Sequence, residues 1–147
     1  MTAPLDMMTP EEIQAAIIQF MKNRPQLVSA VQNEIREDNW MGTDFVYPTY
    51  RVSVDTVGPL TNGECRPFMF DVNFTVYCHA EGPSSKQASY LEGLVAQNLQ
   101  GQQIRTSRIV PIIRINIPEN GISLPVPEGE RLWRGDVRFN TQLKRNP

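Results

Sequence analysis

The stretch "RLWRGDVRFNTQLKR", residues 131–145, carries the clearest pattern in the chain. Trp133, Val137, Phe139 and Leu143 fall on one face, and Arg134, Asp136, Arg138 and Gln142 on the other. That period of two marks a half-buried strand. So long a strand at a chain end has to be tied into a sheet, because unpaired termini fray. The remaining sequence must then supply partner strands and a cover for the apolar face. The stretch also contains Arg134-Gly135-Asp136, a tripeptide that some cell-surface receptors read on exposed loop tips. Here it lies in mid-strand, and we read it as a chance recurrence.

Partner strands are easy to find. "TYRVSVDTV", residues 49–57, alternates, with Tyr50, Val52 and Val54 inward and Arg51, Ser53 and Asp55 outward. "RPFMFDVNFTVYCHA", residues 66–80, puts Phe68, Phe70, Val72, Phe74, Val76 and Cys78 on one face. Turn chemistry separates the two, Gly58-Pro59 and Asn62-Gly63, so an antiparallel hairpin is expected. "SRIVPIIRINIP", residues 107–118, is rich in β-branched residues, with Ile109, Pro111, Ile113, Ile115 and Ile117 on one face. Pro111 has no amide donor, which places this strand at an edge or on a bulge.

The cover comes from two helical regions. "TPEE", Thr9 to Glu12, combines a capping threonine, a proline suited to the first helical position and a glutamate that completes a capping box. An apolar stripe follows through Ile13, Ala16, Ile17, Phe20 and Met21. After a break at Pro25 it resumes through Leu27, Val28, Val31 and Ile35. In the second region Ser84 and Gln87 fit a capping box, Ala88, Leu91, Leu94, Val95 and Leu99 make the stripe, and Gly101 ends it. The expected fold is α+β: a two-layer sandwich with a mainly antiparallel four-stranded sheet, helices on one face, and the order α-β-β-α-β-β. Phe68, Phe70, Val72, Phe74 and Val76 should pack against Ile17, Phe20, Leu91 and Val95.

Composition narrows the function classes. At 147 residues, 40% hydrophobic and 20% charged, the chain suits a single domain, 1–147, with its own core. A net charge of −2 lacks the basic surplus of a protein that grips nucleic-acid phosphates. No apolar run reaches the ~18 residues of a membrane span. The N-terminus lacks the basic and apolar regions of a signal peptide, so use without export is expected, and the Asn73-Phe74-Thr75 glycosylation signature is discounted.

Catalytic and metal chemistry finds little support. Cys65 and Cys78 lie in one strand region, ~40 Å apart if extended at ~3.3 Å per residue, and are read as free thiols. His79 is the single histidine, and no Cys-x-x-Cys or His-x-x-x-His spacing occurs. In a strand, Cys78 and His79 point to opposite faces and cannot form a nucleophile pair. Glu11 and Glu12 serve a helix start. Glu34, Glu37 and Asp38 sit at a helix end without a basic or nucleophilic companion. No catalytic, cofactor-binding or metal-binding residue is assigned.

Two loops carry unusual apolar cargo. "REDNWMGTDFVYP", residues 36–48, holds Trp40 and Phe45. "ENGISLPVPEGE", residues 119–130, holds Ile122, Leu124 and Val126 among stiffening prolines. These five residues are the candidate interface. Ile122, Leu124 and Val126 alternate as an extended arm laid on a neighbour would, and the competing reading folds the loop over its own sheet.

In element order, with a closing strand that begins Leu132-Trp133 before the run Arg134-Gly135-Asp136-Val137-Arg138-Phe139, the chain resembles the tail terminator proteins of long-tailed bacteriophages. Phe68 to Tyr77 corresponds in placement to that family's long second strand. The resemblance covers nearly the whole chain in order of elements, and the 36–48 and 118–130 loops have no counterpart in it. It implies a structural virion protein without cofactor or enzymatic activity. Such a protein is assembled in the host cytoplasm into a homohexameric ring on the head-proximal end of the tail tube. Its partners would be other copies, the major tail tube protein and a neck or connector protein, with DNA only as cargo through the lumen. Glu37, Asp38 and Asp44 are candidates to face such a channel. The alternatives are another head-tail joining subunit, of the neck or head-completion kind, and, third, a small enzyme.

Overall fold

The structure, a computed structural model, describes residues 9–40, 46–59 and 69–145. The helix start at Thr9 forms as the sequence implies: Thr9 Oγ1 accepts the Glu12 amide at 3.1 Å and Pro10 opens α1, Pro10–Lys22. Ile13, Ala16, Ile17 and Met21 form its buried stripe. Phe20, expected in the core, is only partly buried, and the Arg24 guanidinium lies 4.7 Å over its ring. α2, Pro25–Val31, is a separate short helix that ends where Gln32 turns left-handed, at φ 52°. Ile35, assigned above to the helical stripe, instead begins a strand, β1, Ile35–Glu37, parallel to the next.

The predicted hairpin is β2, Thr49–Pro59, against β3, Met69–Glu81, antiparallel, with Val52 opposite Val76 and Val54 opposite Phe74. A bulge between Val54 and Thr56 absorbs Asp55. α3, Lys86–Leu99, buries Ala88, Leu91, Glu92, Val95 and Leu99. The capping box expected from Ser84 and Gln87 does not form: Ser85 is the N-cap and makes no side-chain cap bond, and Ser84 Oγ receives only a 3.4 Å contact from the Lys86 amide. β4, Ile109–Asn116, β5, Val126–Gly129, and β6, Leu132–Arg145, complete the set.

These strands form one six-stranded sheet, not four-stranded, in the order β1-β2-β3-β6-β4 with β5 also on β6. The C-terminal stretch is its spine. β6 pairs along its whole length with β3, from Met69 opposite Lys144 to Glu81 opposite Leu132. Its other edge takes β4 at the C-terminal end and β5 at the N-terminal end, with a bridge from Ile122 to Val137 between them. β4 is the terminal strand and slips register between Pro111 and Ile113, as the missing proline donor suggested. The slip turns Ile113, predicted inward, toward solvent.

All three helices lie on one face of the sheet. Beneath them Phe74 stacks on Phe139, centroids 5.1 Å apart, among Tyr50, Val52, Phe70, Val72, Val76, Ile17, Leu91 and Val95, all buried. Phe68 and Cys65 lie outside the described residues. Alternation had put Arg51 in solvent, but it is buried, held under the chain that returns from β1 by bonds to the Glu37 and Trp40 carbonyls. No helix among the described residues is long and apolar enough to cross a membrane.

Candidate assembly surfaces

The Pro-rich segment after β4 has a backbone that belongs to the sheet. It opens with a tight turn, the Gly121 amide bonding the Pro118 carbonyl at 2.9 Å. A Cβ on Gly121 would come within 2.8 Å of that carbonyl and 2.5 Å of Ile117, so the turn needs glycine. The Arg138 amide then donates to Gly121, and the Ser123 amide to Asp136. The chain re-enters the ladder as β5 and returns to β6 through a two-residue turn at Glu130 and Arg131. The side chains, however, do not fold inward: Ile122 is 49% exposed, Leu124 86% and Val126 45%. Ile112 and Ile113 on β4 are exposed on the same side of β6.

Trp40 is half-buried, with the Arg36 guanidinium 4.6 Å over its ring, so it anchors the corner after β1. Phe45 lies outside the described residues, as does Asp44.

The sheet face away from the helices is polar. Asn140 Nδ2 bridges Asp71 and Asn73, Asn73 reaches Thr56, and Thr75 donates to Asp55. Arg134 and Asp136 bond each other at 2.9 Å within this face, so their charges are spent locally, in mid-strand as expected. His79 is buried here with Nδ1 2.7 Å from Glu128 Oε1, a link that pins β5 across the face. Burial pushes its pKa below the usual value, against the opposing pull of Glu128. Cys78 points the other way, into the core, where burial and then Glu92 and Asp136 raise its thiol pKa well above normal. A thiol so placed is a poor nucleophile. Among the described residues no group of three or more His, Cys, Asp or Glu is placed to hold a metal ion.

Sequence reasoning missed Glu92. It is 4% exposed on the core side of α3, and its Oε2 has no hydrogen-bond partner. Burial, and then the Asp136 carboxylate, raise its pKa to about 7, while a bond from the Asp136 backbone pulls the other way. The available signal was a glutamate beside Leu91 on an otherwise apolar stripe.

A groove of about 370 Å³ opens on the helix layer between α2 and α3, lined by Pro25, Gln26, Ser29, Ala30, Tyr90 and Leu94.

No family model matches the chain, and no curated protein matches it. In fold it is similar to a solved chain described as "Virion of native gene transfer agent (GTA) particle": TM-score 0.65 and 14% identity, covering 90% of this chain and 94% of that one. At that identity the likeness is one of fold.

Proposed function

We propose that this chain is a structural virion subunit, a tail-terminator-like protein that forms a ring on the head-proximal end of a phage-type tail tube and joins it to the neck. It works by assembly and performs no chemistry. The observation that carries this reading is the likeness of fold, over nearly the full length of both chains, to a chain of a gene transfer agent virion. The Leu132-Trp133 closing strand and the order of elements point the same way. The surface is also in keeping with it: a subunit of a ring needs two different patches, each meeting the other on a neighbour. The apolar side chains along the outer edge of β6 can supply one. The near-neutral charge suits a conduit that lets DNA pass without gripping it.

The direct test is to add the purified chain to growing tail tubes of its own particle. Capping, seen as tubes of fixed length bearing a terminal ring in electron micrographs, is the expected result. A ring that binds connectors and leaves tube length unregulated would instead favour the neck-subunit reading. Catalytic turnover without tube binding would favour the enzyme reading.

A further inference from the structure

The two outer strands of the sheet, β1 and β4, carry opposite charge, although the chain as a whole is near neutral. From Gly101 to Pro118 the chain holds Arg105, Arg108 and Arg114 and no acidic residue, and β6 adds Lys144, opposite Val110 of β4. Arg108 is matched within the chain by Glu12, at 3.0 Å. Arg105 and Lys144 are exposed, and Arg114, also exposed, bonds a neutral group, the Gly101 carbonyl. Ile112 and Ile113 stand exposed among these cations. At the other edge Glu34, Glu37 and Asp38 stand against one cation, Arg36, which lies 3.5 Å from Glu34. Asp38 is exposed and, with Glu11, lines a cavity of about 290 Å³ that has no basic residue in its wall. Val46 is exposed just before β2, the strand that β1 pairs with.

Both edges resist the addition of a strand. On β4, Pro111 has no donor, Gln102 and Gly101 take the Ile115 amide and carbonyl, and Thr106 takes the Ile109 carbonyl. On β1, Asn33 takes the Ile35 amide and Trp40 the Glu37 carbonyl. A contact at either edge therefore runs through side chains.

We infer that the β4 edge of one copy of this chain docks on the β1 edge of a second copy, with Arg105, Arg114 and Lys144 facing Glu37 and Asp38, and with Ile112, Ile113 and Val46 covered in the joint. The inference rests on the ring reading above and names its contact. β1 and β4 end the strand order on opposite sides, so one chain cannot join its own two edges. Like edges repel, which disfavours a symmetric pair and leaves the head-to-tail contact, the kind that closes into a ring.

Sedimentation velocity of the full-length chain over a concentration series, at low and high salt, tests this, using Asp38→Lys, Arg105→Glu and the two changes combined. Both side chains are exposed, so all three variants should melt as the parent does. The expected result is self-association of the parent that weakens at high salt, falls about tenfold or more in each single variant, and recovers at least in part in the combined variant, where opposite charges meet again. Parent association that salt and the single variants leave unchanged, or a combined variant no stronger than either single one, overturns the edge contact and leaves the ring reading standing. A parent that stays monomeric at every concentration also overturns the contact, and the tube-capping experiment then judges the ring reading separately.

Discussion

Glu92 lays its carboxyl against the bare backbone of Gly135. A Cβ at position 135 would stand 2.5 Å from Glu92 Cδ and 2.6 Å from Cγ. The glycine that resembles the middle of a receptor tripeptide is therefore the clearance under which an acid from α3 reaches β6. Gly135→Ala should displace Glu92 and lower stability by about 1–3 kcal/mol, the usual range for overpacking. In urea unfolding, Glu92→Ala combined with Gly135→Ala should lose less than the sum of the single changes, since the smaller side chain vacates the space. Strict additivity would mean the two residues do not oppose each other.

The raised pKa of Glu92 makes stability depend on pH with a defined sign. The folded state holds the Glu92 proton up to about pH 7, whereas the unfolded chain releases it near 4.5. Between those values the folded state binds more protons, so this group's contribution is full below about pH 4.5 and is lost as pH rises through 7. The shift corresponds to roughly 3 kcal/mol. Glu92→Gln should flatten this limb of the stability profile, measured by denaturant midpoints between pH 5 and pH 8. An unchanged limb would place the titration elsewhere.

The His79–Glu128 bond should act locally. Glu128→Ala removes the partner of a buried imidazole and the pin on β5, at a cost of about 1–2 kcal/mol to the closure of that strand. Hydrogen exchange should accelerate at the β5 amides while β3 stays protected. Equal acceleration across the sheet would mean that β5 does not open independently.

Phe74→Ala removes one member of the stacked Phe74–Phe139 pair in the centre of the core and should cost about 3–5 kcal/mol. Chemical unfolding measures it. A loss below about 1 kcal/mol would contradict the burial of this face.

By itself the sequence determined the α+β class, the helix start at Thr9, the hairpin of β2 and β3, the terminal position of β4 and the inward faces of β3 and β6. Each of these follows from local periodicity or from the chemistry of a single residue such as Thr9 or Pro111, and neither depends on what lies across the core. The tertiary structure decided the rest. β1 and β5 are three and four residues long, too short to show a period, and exist because β2 and β6 offer open edges. Arg51 is buried by chain returning from β1, which alternation along β2 cannot foretell. Leu124 stands out from an arm whose backbone is sheet-bound, because the ladder bonds to β6 fix the main chain without enclosing the side chain. The meeting of Glu92 with Gly135, and of His79 with Glu128, joins residues 43 and 49 positions apart, pairings set by how α3 and β5 settle on the sheet and written in no local pattern.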